Sequence, residues 1–202
     1  MSTSLVYRSA LGYELLMRGL YGRHYAERMR AVAEQVPAGA SVLELCCGPG
    51  TLYHRYLKAR AGDYVGVDVN EGFVAKLRRE GVEARRIDLA DDGLPLPAAD
   101  VAIMQASLYH ILPHPSGIID RMLTAARELV IVSEPVRNLA TSAVPGIALL
   151  GRRAADPGVG GHADRFTEAT LDELMARYRD HTRAAFLIPG GREKVYVLSA
   201  RE

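Results

Sequence analysis

Residues 41–51 read Ser41-Val42-Leu43-Glu44-Leu45-Cys46-Cys47-Gly48-Pro49-Gly50-Thr51. The run Val42 to Cys46 is apolar except for Glu44 and short enough to predict one buried parallel strand. Cys47-Gly48-Pro49-Gly50 then punctuates the chain, and Leu52 to Ala61 reads as a helix. A strand, a tight glycine turn and a helix follow one another. Gly48 and Gly50 carry no Cβ, so backbone N–H groups there can come close to a ligand. The positive end of the next helix points at whatever binds. Two glycines alone are equally compatible with an ordinary βα turn that holds nothing.

The rest of the chain alternates in the same way. Tyr64 to Val67 predicts a second strand ended by Asp68, which lies 18 positions after Gly50. That is close to the ~20 residues expected for an acidic ribose ligand on the next strand. A helix over Glu71–Glu80 is stopped by Gly81, with Asn70 the better candidate for its N-cap. Val82 to Ile87 predicts a third strand, Val101 to Gln105 a fourth and Leu129 to Ser133 a fifth. A helix over Ser116–Glu128 separates the last two, with Ile118, Ile119, Met122 and Leu123 on one face. Strict alternation implies parallel pairing through crossovers. Thr167 caps a helix running to Tyr178, and Pro189-Gly190-Gly191 joins two final strands, His181–Ile188 and Lys194–Ser199, as an antiparallel hairpin.

The glycine stretch resembles motif I of the class I S-adenosylmethionine (SAM)-dependent methyltransferases, acidic-x-Gly-x-Gly-x-Gly. Glu44 matches the acidic position, and Gly48 and Gly50 match the second and third glycines. Cys46 stands where the first glycine is usual; its side chain restricts φ and narrows the approach to the methionine part of the cofactor. The dinucleotide pattern G-x-G-x-x-G fails, because its third glycine would fall on Tyr53. The resemblance covers nearly the whole chain, final hairpin included. It implies a doubly wound α/β fold, mostly parallel, with a C-terminal antiparallel hairpin and a helical N-terminal lid.

The same resemblance assigns SAM as cofactor. It gives Asp68 the ribose, with Val69 beside it, and sets Asp88 near the adenine amino group with Leu89 against the ring. Gln105, at the carboxyl end of the fourth strand, falls near the methyl-transfer centre, where ligands of open α/β sheets sit. Tyr109 and His110 take the places of a His-His pair found in small-molecule members. They are the candidate catalytic residues, with His110 a general base or, equally, a buried histidine bonded to backbone. Tyr7 and Tyr21 are candidate lid contacts.

Length and composition set the outer limits. At 202 residues, 49% hydrophobic and 24% charged, the chain predicts a single domain over 1–202, with a helical lid over 1–36 and a substrate cover over 136–165. In the lid, Tyr25, Met29, Val32 and Val36 give the apolar face, and the arginines are expected on a solvated one. In the cover, His162 and Arg165 are possible substrate contacts. A net charge of +1 gives no electrostatic case for a nucleic-acid partner. The Asn/Asp-Pro-Pro-aromatic signature of many amino-methylating nucleic-acid enzymes is missing after the fourth strand. Cys46 and Cys47 are adjacent and point to opposite faces, unsuited to a bridge or a metal. Without a leader or an apolar span, the chain reads as cytoplasmic and free of membrane. No metal cluster is expected.

These readings converge on methyl transfer from SAM to a small-molecule acceptor, with donor and nucleophile placed in line. A protein acceptor stays open. So do a non-catalytic SAM-binding protein and a nicotinamide-dependent oxidoreductase.

Overall fold

The computed structural model describes residues 22, 24–137 and 165–200. Seven strands form one sheet: β1 Val42–Leu45, β2 Tyr64–Asp68, β3 Ala84–Arg86, β4 Ala99–Gln105, β5 Ala126–Pro135, β6 Thr182–Leu187 and β7 Glu193–Ser199. Their order across the sheet is β3-β2-β1-β4-β5-β7-β6. The first five run parallel, and β7 lies antiparallel to both β5 and β6. The doubly wound, mostly parallel sheet with a terminal hairpin is therefore present. β1 sits between β2 and β4, at the point where the strand order reverses. Ligands of open α/β sheets bind in the crevice at such a point.

Among the described residues four α-helices cover the two faces: α1 His24–Ala33, α2 Glu71–Arg79, α3 Ser116–Ala125 and α4 Glu168–Met175. Strand residues alternate between the faces. Val42, Val101, Ile103 and Ile131 bury one layer with Met29 and Val32 of α1 and Val74 and Leu77 of α2. Leu43, Leu45, Met104 and Val130 bury the other with Ile118 and Met122 of α3 and Leu171 of α4. β1 is buried at every position, as a strand flanked on both sides and covered on both faces must be.

Boundaries move where side chains say so. β1 stops at Leu45 because Cys46 turns into the left-handed region (φ 53°). The helix after the glycine turn starts at Thr51 and widens over Tyr53–Leu57, where Lys58 N–H reaches back five residues to the Tyr53 carbonyl. β3 is only three residues long, β5 extends to ten, and α3 ends at Ala125. Asn70 accepts the Gly72 and Phe73 N–H groups as the α2 cap. Thr167 and Thr170 each accept the other's backbone N–H at the start of α4. That helix tightens into a 3₁₀ turn over Ala176–His181. Gly190 (φ 87°) and Gly191 (φ 63°) make the hairpin, supplying the left-handed backbone that other residues disfavour.

Of the lid, α1 is described and lies on the sheet. Tyr7 and Tyr21 fall outside the described residues, as do His162 and most of the cover over 136–165. Among the described residues no helix is long and apolar enough to cross a membrane.

Candidate active site

The crevice is built from the carboxyl ends of β2, β1, β4 and β5. On the β1 side the backbone does the shaping. Cys46 (φ 53°), Gly48 (φ 54°) and Gly50 (φ 77°) are all left-handed, so the position usually held by the first glycine requires that conformation here too. A Cβ on Gly50 would come within 2.5 Å of Leu77 Cδ2, whereas a Cβ on Gly48 would enter open space. Gly50 therefore admits helix–turn packing, and Gly48 leaves room above the turn.

Asp68 ties this turn to β2. Its Oδ2 accepts the Gly48 N–H at 2.9 Å and its Oδ1 accepts the Asn70 N–H at 2.8 Å. Burial pushes the carboxyl up, opposed by the N–H groups of Asn70, Gly48 and Val69. A carboxylate offers about four acceptor sites, more than these N–H groups use, so it can still accept from a ligand hydroxyl. The next residue, Val69, is 43% exposed, an apolar surface suited to the face of a flat ring. Asp88 is exposed and accepts the Ala90 N–H, while Leu89 is buried in the second core layer.

Glu44 lies below the turn rather than in the open. Tyr64 donates its hydroxyl to Glu44 Oε2 at 2.6 Å, and burial pushes the carboxyl up to about 8, with the Tyr64 bond lowering it and the Asp68 charge raising it. Cys47 packs into the first core layer, and Cys46 packs against the second, as neighbours pointing to opposite faces should. Burial first, and then the charge of Asp68, push the Cys46 thiol well up, so it stays protonated. Among the described residues no group of three or more His, Cys, Asp or Glu side chains is placed to hold a metal.

The β4–β5 side is held by side chains far apart in sequence. Gln105 does not reach outward: its Nε2 donates to the Arg28 carbonyl at 3.1 Å and to Glu193 Oε1 at 2.9 Å. Glu193 also accepts from Arg28 Nε at 2.6 Å and from Ser133 Oγ at 2.5 Å. Arg28 is 3% exposed and Glu193 is fully buried, which corrects for Arg28 the expectation of a solvated face, while Arg30 of the same helix is exposed. Ala106 is left-handed (φ 53°) like Cys46. Such residues cost of order 1–3 kcal/mol each and cluster at functional sites. The turn that follows holds Tyr109 and His110, whose rings lie 3.9 Å apart, and the Arg165 guanidinium sits 3.5 Å from the centre of the Tyr109 ring. Glu134, near the end of β5, is 1% exposed and accepts the Leu108 N–H at 3.0 Å. Burial pushes its carboxyl up to about 8; the Leu108 bond lowers it, the Glu193 charge raises it, and Arg165 and Arg28 lower it.

Glu44, Cys46, Gly48, Gly50, Asp68 and Val69 thus gather at the β1–β2 end of the crevice, with Tyr109 and His110 after β4. Gln105 stands at the β4 end, but its amide nitrogen points inward. Arg28, Glu134 and Glu193 escaped the sequence reading. One signal was there: Arg28 stands three residues after Tyr25 and four before Val32, in register with the apolar face. Glu193 likewise has the inward parity of Val195 and Val197.

Residues 17–178 match the family model described as a methyltransferase domain. Over 95 residues, 46% of this chain and 36% of the relative, the chain is 34% identical to trans-aconitate 2-methyltransferase of Mycolicibacterium gilvum (strain PYR-GCK). Over 94 residues, 45% of this chain and 30% of the relative, it is 35% identical to ribosomal protein L11 methyltransferase of Neisseria meningitidis serogroup C. The chain thus spans about a third of the length of these curated relatives. Its fold matches magnesium protoporphyrin IX methyltransferase of Synechocystis PCC 6803, solved with bound SAH (S-adenosylhomocysteine), at a TM-score of 0.60 and 17% identity, over 96% of this chain and 95% of that one. A model match over most of the length, on a sheet ordered β3-β2-β1-β4-β5-β7-β6, shows that this chain belongs to the methyltransferase-domain family.

Proposed function

We propose that the chain transfers a methyl group from S-adenosylmethionine to a small-molecule acceptor. The observation that carries the reading is Asp68: its carboxylate closes the Gly48 turn onto β2 at the point where strand order reverses, with lone pairs left over for a ribose. The donor set fits the cofactor in kind. Asp68 can accept from both ribose hydroxyls, exposed Val69 offers an apolar face, and the open space at Gly48 admits a ligand close to backbone.

SAM, when bound, supplies an already activated methyl group. The chain's part is then to position and to exclude water. Gly48 and Cys46 set the depth of approach on one side. Across the crevice, the turn holding Tyr109 and His110 is braced by Glu134 through the Leu108 N–H and bears on the acceptor. Orientation of this kind supplies a large part of the rate of a displacement. His110 is assigned as the acceptor-side base wherever the nucleophile carries a proton.

Calorimetry with SAM tests the donor half. Asp68→Ala is expected to weaken binding by roughly 1–3 kcal/mol, the scale of charged hydrogen bonds, and unchanged affinity removes the ribose assignment. Methyl-labelled SAM offered with a metabolite extract and, separately, with a ribosomal-protein fraction tests the acceptor half. Label in low-mass products supports the small-molecule reading. Label in protein favours the second reading, a protein acceptor, which the likeness to the L11 enzyme raises. SAM binding without transfer in either arm points to a binding protein, and binding of NAD(P)H alone to an oxidoreductase.

A further inference from the structure

We infer that Gln105 presents its side-chain carbonyl oxygen to the crevice as a fixed, uncharged hydrogen-bond acceptor, and that a ligand N–H or O–H docks on it at the end of β4. This rests on the SAM reading above. Gln105 is the last residue of β4 and has the parity of Val101 and Ile103, so its side chain lies on the sheet face that α1 covers. The backbone beneath it is held. Ala106 N–H donates to the Ser133 carbonyl at 2.7 Å, and Ser107 Oγ donates to the Gln105 carbonyl at 3.1 Å.

The inward pull acts on one end of the amide only. Nε2 carries two hydrogens and both are used, one on the Arg28 carbonyl and one on Glu193 Oε1. These partners also fix which end of the amide is which. Both accept, and Glu193 already takes Arg28 Nε and Ser133 Oγ, so the reversed amide would set oxygen against oxygen. Oε1 therefore turns away from the hub. Among the described residues it accepts no hydrogen bond, and it is not shut off from solvent, since Gln105 is half-buried. An acceptor aimed by bonds at its other end costs little further ordering when a ligand arrives.

Two groups among the reactants can supply the hydrogen. One is the ammonium of the donor's amino-acid tail. The other is the nucleophile of the acceptor, where that is an alcohol or an amine. Gln105 stands between the two sides: β4 lies next to β1 and its glycine turn, and Tyr109 and His110 follow in the turn after β4. A neutral amide oxygen accepts from either group without taking its proton. The buried hub of Arg28, Glu193 and Ser133 then acts at a distance, by holding the amide in the orientation that leaves Oε1 outward.

Calorimetry with SAH and with methylthioadenosine separates the two sources, because methylthioadenosine keeps the nucleoside and the sulfur but lacks the amino-acid tail. If the ammonium docks on Oε1, Gln105→Met weakens SAH about tenfold and leaves methylthioadenosine unchanged. Asp68→Ala, by contrast, weakens both, since both carry the ribose. If the nucleophile docks there, Gln105→Met leaves both affinities unchanged and lowers label transfer from saturating methyl-labelled SAM to the extracts about tenfold. Unchanged affinities without a fall in transfer overturn the assignment. An equal loss for SAH and methylthioadenosine overturns it too, because the effect then lies at the nucleoside. Binding of neither ligand by the wild type overturns the SAM reading itself. Should Gln105→Met not fold, Gln105→Ala leaves room for water to donate to Glu193 and to the Arg28 carbonyl, and is judged by the same outcomes.

Discussion

The two halves of the crevice are built by different means. On the β1–β2 side, function rests on backbone: left-handed residues at Cys46, Gly48 and Gly50, and two N–H groups delivered to Asp68. On the β4–β5 side it rests on buried side chains from distant parts of the chain, with Glu193 gathering Arg28, Gln105 and Ser133. A backbone turn is encoded by a few adjacent residues and presents the same N–H groups whatever surrounds it. A buried polar hub exists only once four elements have packed, and it can vary without disturbing the backbone turn. The division suits a protein whose donor is common to its family and whose acceptor is its own.

Removing a charge from the hub should produce the largest effect. Arg28→Ala leaves Glu193 buried and uncompensated, and a loss of about 3–5 kcal/mol in urea unfolding is expected. Replacing both partners by methionine should cost much less, because the uncompensated charge then goes too. If the single variant loses no more than the double one, the pair is not what holds α1 to the sheet.

Within the glycine turn the two glycines should part company. Gly50→Ala meets Leu77 at 2.5 Å on top of a positive φ, so a loss of about 2–4 kcal/mol is expected from strain and overpacking together. Gly48→Ala has the φ penalty alone, about 1–2 kcal/mol; its larger expected effect is on SAM affinity, since its Cβ enters the open space above the turn. Equal stability losses would deny the two glycines separate roles.

Glu44 and Glu134 set the next effect, which is a dependence on pH. Their folded-state carboxyls sit at about 8, above the ordinary 4.5, so the folded protein holds more protons than the unfolded chain between those values. Their contribution is fully present below about pH 4.5 and is lost as pH rises through about 8. The melting temperature of the ligand-free protein should fall by a few degrees from about pH 5.5 to 8.5, and Glu44→Gln should flatten part of that slope. A melting temperature that climbs over this range would place both carboxylates in ionised, paired states instead.

The smallest effect expected is a gain. Cys46→Gly removes a side chain from a left-handed backbone and should stabilise the protein by up to about 1 kcal/mol in urea unfolding, the φ relief being partly offset by glycine's greater unfolded-state freedom. A clear loss instead would mean that the packing of the Cys46 side chain outweighs its strain.

Much of the fold was legible because its signals are local. Asn70 before an amphipathic run, Thr167 before another and Gly190-Gly191 between two strands each acted as the residues themselves dictate. Asp68 was legible as the end of the second strand, and its bond to the Gly48 N–H ties the glycine turn to that strand. The widened turn over Tyr53–Leu57 was not legible, since the Tyr53 ring packs on Tyr64 of the next strand, 4.2 Å between centres. Nor was the inward turn of Gln105, whose partners lie 77 and 88 residues away along the chain.

The amino-acid sequence by itself determined the alternation of strands and helices, the glycine turn, the acidic end of β2 and the closing hairpin, because propensity, capping and periodicity act over a few residues. Only the tertiary structure decided the strand order, the burial of Arg28 with Glu193 and the burial of Glu134 against the Leu108 N–H. Those depend on which distant side chains share one low-dielectric space, where an unmatched charge is costly and its partner comes from whichever element packs there.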